Sequence, residues 1–128
     1  MEKTKVERID SIIQAALLEF TEKGFEETSM NLIAERASLS KGGLYHHFKS
    51  KDEILFAVNN QIMRPLVNLM REAESMESPL NGLNLFIKGY IVFWYFHKKE
   101  LEITLTAISK LLKAEKNKTD YCEYINNI

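Results

Sequence analysis

The sequence predicts an all-α protein, and three observations carry that reading. Apolar residues recur at three- and four-residue steps along most of the chain, the spacing of one face of an α-helix. Only two prolines and five glycines interrupt the 128 residues, so long helices are permitted. No segment shows the alternation of a β-strand, and no internal repeat or low-complexity stretch is present.

The elements follow in order. Val6, Ile9, Ile12, Ile13, Ala16, Leu17 and Phe20 form one stripe, which places a first helix near residues 3–23 with Gly24 as its C-cap. Phe25 is expected to pack back on it. Thr28 and Ser29 are N-cap residues for a short second helix near 29–36. Ala37, Ser38 and Leu39 make a tight connection, and Ser40 caps a third short helix through His46. Gly42 and Gly43 inside that helix cost about 1 kcal/mol each, so it needs strong tertiary support or a backbone close to something. Ser50-Lys51-Asp52-Glu53 is a capping-box pattern. It opens a fourth helix reaching about residue 74, with a kink or break expected at Pro65. Ser78-Pro79 starts a fifth helix running to about Phe96. A sixth covers roughly 100–113, Lys116-Asn117-Lys118 is a polar turn, and Thr119 or Asp120 caps a last helix.

Composition bounds the class. The chain carries 17 Lys+Arg against 18 Asp+Glu and is 45% hydrophobic. That excludes a disordered acidic tail and a wholly basic nucleic-acid coat. Cys122 is the only cysteine, so no intramolecular disulfide can form, which fits a reducing compartment. The longest apolar run, Ile91 to Phe96 with Tyr90 before it, is seven residues, where a membrane span needs about twenty. A cytoplasmic protein without a membrane segment is expected.

Charge is uneven. Residues 36–51 hold four basic residues (Arg36, Lys41, Lys49, Lys51) and no acid, whereas residues 1–35 hold four basic and eight acidic ones. Two short helices joined by a tight turn behind a longer bracing helix describe a helix-turn-helix. A local basic concentration on it is what phosphate contacts require. Leu44 and Phe48 fall four apart and belong to the core, leaving Lys41 and Tyr45 on another face.

The residues Ile13-x-Ala15-Ala16-x-x-x-x-Phe20, Gly24-Phe25, Thr28-Ser29-Met30-x-x-Ile33-Ala34-x-x-Ala37 and the run from Leu39 to Leu55, with Leu44-Tyr45-His46-His47-Phe48 at its centre, carry a family resemblance. Residues 9–55 closely resemble the N-terminal domain of the tetracycline-repressor (TetR) family of bacterial transcription regulators. The resemblance implies a three-helix DNA-binding head at 1–50, then a long linking helix and a partial helical effector-binding and dimerisation domain at 51–128. The chain is shorter than is usual for that family, so this second part is expected to be C-terminally truncated. Helix 3 would enter the major groove of a palindromic operator, with Ser40, Lys41, Gly42 and Gly43 nearest the bases. Tyr45 and His46 would touch phosphates or bases. Thr28, Ser29 and Asn31 would meet phosphate at the start of helix 2, and Lys51 would hold one at the start of helix 4. A homodimer and a ligand-responsive repressor are implied, with the fourth helix transmitting the ligand's effect to the head. The family often has Gly where this chain has Ser38, which must then adopt left-handed geometry at some cost.

Phe86, Tyr90, Phe93 and Trp94 fall on about one broad face of the fifth helix. At helical spacing such residues are ordinarily core, and they could equally line an effector pocket. His46 and His47 are adjacent and cannot chelate one metal as an i, i+4 pair would, so no metal or other cofactor is expected beyond a small-molecule effector. No nucleophile–base spacing, phosphate loop or paired carboxylates in an apolar setting point to an enzyme. The alternative to a DNA-binding regulator is a truncated, non-catalytic helical interaction module that binds partner regulators.

Overall fold

The structure is a computed structural model that describes residues 3–113. Six helices make up these residues: α1 (Lys5–Lys23), α2 (Met30–Arg36), α3 (Lys41–His47), α4 (Lys51–Glu74), α5 (Pro79–Phe96) and α6 (Lys98–Lys113). The expected turn at Lys116-Asn117-Lys118, the last helix from Thr119 or Asp120, and Cys122 all lie outside the described residues.

Each boundary has a local cause. Thr4 Oγ1 accepts from Glu7 N at 3.2 Å while Thr4 N donates to Glu7 Oε2 at 2.7 Å. This capping box starts α1 at Lys5 rather than at residue 3. At its other end Gly24 takes φ +84° and donates to Phe20 O at 2.9 Å. The Phe25 ring then returns against Phe20, with centroids 5.4 Å apart.

The turn between α2 and α3 is held by its backbone. Leu39 N donates to Ala34 O at 2.9 Å and Ser38 N to Glu35 O at 3.1 Å, the paired bonds of a Schellman motif. Its left-handed position is Ser38, with φ 56°, where a residue bearing a Cβ costs roughly 1–2 kcal/mol.

Helix α4 runs without interruption from Lys51 to Glu74 with Pro65 inside it, so of the expected kink or break the break does not occur. Pro65 is exposed, and water can take the carbonyl that its missing N–H leaves free. Helix α6 also begins earlier than expected, at Lys98. No Pro, Gly or polar linker separates it from α5, and His97 serves both ends. His97 N donates to Phe93 O and His97 O accepts from Leu101 N, both at 3.0 Å. The imidazole stacks on Phe93 at 4.3 Å and donates from Nδ1 to Phe93 O at 2.8 Å.

One core serves the whole described chain. Ile12, Ala16 and Phe20 of α1, Ile33 of α2 and Leu44 of α3 pack with Ile54, Leu55 and Val58 of α4 and Ile103 and Ala107 of α6. Helix α5 lies along α4, with Phe93 and Trp94 partly buried on the core. Its outer residues Leu80, Leu83, Ile91, Val92, Tyr95 and Phe96 are exposed. No helix among the described residues is long and apolar enough to cross a membrane.

Gly82 sets the approach of α5 to α4. It is the buried residue of α5, and a Cβ there would collide with the Ala73 carbonyl oxygen. Backbone cannot yield as a flexible side chain can. Gly82→Ala is therefore expected to lower stability by roughly 1–3 kcal/mol, the usual cost of overpacking, read as a lower urea midpoint with an unchanged slope.

Candidate nucleic-acid interface

Helix α3 is seven residues long, too short to hold itself together in water. It is anchored from below. Leu44 is fully buried and Phe48 nearly so, and both join the core. That anchorage leaves Ser40, Lys41, Gly42, Tyr45 and His46 exposed and Gly43 half-buried. Tyr45 keeps 41% of its surface exposed.

The caps place hydroxyls at the two helix starts. Ser29 Oγ accepts from Leu32 N at 3.2 Å, and Ser40 Oγ accepts from Gly43 N at 3.0 Å. A serine that caps in this way still has its O–H to donate outward. Asn31 and Ser29 are both exposed at the start of α2. The two glycines differ. A Cβ on Gly43 would press on Ser40 Oγ at 3.2 Å, whereas one on Gly42 would meet nothing within 4 Å. Nothing inside the described chain requires Gly42.

Two expected phosphate ligands are used internally. Thr28 is only 2% exposed, and its Oγ1 donates to Gly24 O at 2.8 Å. It closes the α1–α2 turn, so it is withdrawn from the interface; the cap of α2 is Ser29 alone. Lys51 is half-buried. Its ammonium donates to Phe25 O at 2.8 Å and Glu26 O at 3.5 Å and lies 4.1 Å from the Phe25 ring centroid. In this structure it braces α4 against the turn instead of standing free for a phosphate.

Arg36 is a third basic residue with an internal role. It meets Glu22 at 3.1 Å and Glu19 at 3.5 Å, and the hydrogen bond to Glu22 raises its pKa. Glu19 is 5% exposed, and Lys23 supplies a second cation at 3.0 Å. A buried carboxylate requires such compensation, so Arg36 ties α2 to α1. The free charge of the 36–51 segment thus reduces to Lys41 and Lys49, which are exposed and form no ion pair among the described residues.

The structure adds neighbours that sequence reasoning missed. The His47 imidazole is pushed below its usual 6.5, first by burial and then by the positive charges of His46, Arg8 and Lys5. Its ring meets His46 edge-on at 5.1 Å. The first turns of α1 therefore bring Lys5 and Arg8 towards the end of α3. No local pattern announces this, because the two segments lie about forty residues apart.

The four aromatic residues of α5 do come together. Phe86 meets Tyr90 at 5.8 Å, Tyr90 meets Trp94 at 6.3 Å, and Trp94 meets Phe93 at 4.9 Å. Phe86, Phe93 and Trp94 are half-buried and Tyr90 is exposed. Among the described residues Trp94 Nε1 is buried without a hydrogen-bond partner, as are Asn59 Oδ1 on α4 and Thr104 Oγ1 on α6.

Comparison with known proteins places this geometry. Residues 12–58 match the bacterial regulatory proteins of the tetR family, a span from the middle of α1 into α4. Over 91 residues the chain is 39% identical to the transposon Tn10 TetC protein of Escherichia coli, covering 71% of this chain and 46% of that protein. Over 92 residues it is 30% identical to the HTH-type transcriptional repressor KstR2 of Mycolicibacterium smegmatis, covering 70% of this chain and 45% of that one. The chain spans about half the length of the curated relatives it matches. Among solved structures, a TetR-like transcriptional regulator from Rhodococcus sp. RHA1 superposes with a TM-score of 0.70 at 25% identity, over 91% of this chain and 67% of that one. The matched segment is the one that buries Leu44 and Phe48 and presents α3, and the all-helical architecture extends the likeness beyond it: residues 12–58 of this chain belong to the tetR family of bacterial regulatory proteins.

Proposed function

We propose that the chain is a DNA-binding transcriptional regulator, a ligand-responsive repressor that reads a palindromic operator through α3 as a homodimer in the cytoplasm, on the nucleoid when bound. The observation that carries this reading is Gly42. A glycine in a helix costs up to about 1 kcal/mol against alanine, and although Gly42 lies in the first turn of α3, no neighbour within the described chain needs the space. A backbone bared towards the outside suits close approach to a base edge or a phosphate. Ser40, Lys41, Tyr45 and His46 surround it with donors that serve phosphates and bases. Ser29 and Asn31 add donors at the start of α2.

The effector belongs, in this reading, to the α4–α6 body. The ring chain from Phe86 through Tyr90 and Trp94 to Phe93 supplies apolar walls. The unpartnered polar atoms of Asn59, Trp94 and Thr104 are groups that a small polar molecule could satisfy. Trp94 is the only tryptophan, so an effector bound there is expected to change its fluorescence saturably. Ligands that release the chain from DNA while leaving that signal untouched would move the pocket elsewhere.

The DNA reading is tested on a duplex that the chain itself recovers from a randomised pool. Affinity is expected to fall with salt at a slope near −0.9 per phosphate contacted. Lys41→Ala should flatten that slope by about one, and Tyr45→Ala should weaken binding. Gly42→Ala should raise fold stability by about 0.5–1 kcal/mol and yet weaken DNA binding. Unchanged affinity in all three variants would remove α3 from the interface.

A further inference from the structure

Phe25 sits in the turn between α1 and α2, and two ammonium groups converge on its ring. Lys51 Nζ, from the first turn of α4, lies 4.1 Å from the ring centroid, and Lys110 Nζ, from the last turns of α6, lies 4.8 Å from it. Like charges share one ring only where each has its own acceptor. Lys51 has the Phe25 and Glu26 carbonyls, and Lys110 has Asp52 Oδ1 at 3.2 Å. The arrangement joins the end of α6 to the turn and to the start of α4 in one cluster. Lys110 follows Ala107 by three residues, and Ala107 and Ile103 already pack into the core shared with α1 and α4. Lys110 is therefore where α6 meets the α1–α2 turn and the first turn of α4. Glu26 and Lys110 also flank an open cleft with Leu105, Thr106, Ser109 and Lys113, so little else fills the space beside this tie.

We propose that Lys110 is a positioning residue for DNA binding: by holding Asp52 and the Phe25 ring together it locks α6 to the head and sets the orientation in which α3 is presented. The inference rests on the DNA-binding reading above. The chain already links head to body covalently through Phe48–Lys51 into α4. Ile103 and Ala107 already pack α6 into the core shared with the head, and Lys110 adds a polar tie at the edge of that packing, to the α1–α2 turn and the start of α4. Its side chain is 31% exposed and that of Asp52 52%, so the pair is open to salt and adds little to global stability. Its effect lies in the geometry of the head.

The test uses the full chain and the duplex recovered from the randomised pool by the unaltered protein. Lys110→Met and Asp52→Asn are each expected to weaken binding about fivefold or more, within the usual range of coupling between sites, with an unchanged thermal midpoint. Lys110→Arg keeps both contacts and should bind as the parent does. Asp52→Asn is the discriminating variant, because it makes the chain more positive. If Lys110 acted only as a charge attracting DNA, Asp52→Asn would bind as tightly as the parent or more tightly, and that result overturns the proposal. A loss of affinity matched by a lowered thermal midpoint also overturns it, since the tie would then merely hold the fold. Recovery of no duplex by the parent protein would defeat the DNA-binding reading and this inference with it. A recovered duplex that Asp52→Asn binds normally would defeat this inference alone.

Discussion

The burial of Leu44 is the constraint on which the rest of the described structure depends. A seven-residue helix with two adjacent glycines has no stability of its own. It exists because Leu44 and Phe48 drop into a core already walled by Ile12, Ile33, Ile54, Leu55 and Val58. Once those two side chains point inward, helical geometry leaves no choice about the others. Lys41, Tyr45 and His46 must face out. The surface that meets DNA in the proposed function is thus the reverse side of a packing decision. The same core takes in Ile103 and Ala107 of α6, so the presentation of α3 is mechanically continuous with the helical body.

Charge in the head divides by the same geometry into bracing and presenting groups. Glu19 is buried and draws Arg36 and Lys23 to itself. Lys51 is drawn to the Phe25 and Glu26 carbonyls of the turn that follows α1. Arg36 and Lys51 lie close in sequence to Lys41 and Lys49 and carry the same charge, yet they fasten α2 to α1 and α4 to the turn that follows α1. Counting basic residues in a segment therefore overstates the charge available to a polyanion. What remains is smaller, and it is supplemented from the first turns of α1, where Lys5 and Arg8 approach His47.

Helix α5 shows a different balance. It is the most apolar helix of the chain, with Lys88 as its one charged residue. Its contact with α4 is set by the close approach at Gly82, where backbone meets backbone. Phe93 and Trp94 face the core, and Leu80, Ile91, Tyr95 and Phe96 face away from it. Helical spacing placed Phe93 and Trp94 on one face with Phe86 and Tyr90, and the packing of α5 on α4 turns Phe93 and Trp94 onto the core.

The sequence by itself determined the order of the described helices, most of their caps and the core positions of the head. Those signals are local: Ser29, Ser40, Ser50 and Ser78 each bond a backbone N–H three residues on, and apolar spacing reports which face turns inward. It also identified the family through residues clustered in one short stretch. Pro65 and His97 show the limit of local rules, since packing carried α4 through the proline and joined α5 to α6 with no linker. Only the tertiary structure decided which hydroxyls and cations stay free. Thr28 and Ser29 are neighbours of the same chemical kind, yet one is buried on Gly24 O and the other is exposed. Lys51 and Lys110 are fifty-nine positions apart and meet over one ring. Such partners are chosen by which helices touch, and that is a property of the packed core that no window of sequence contains.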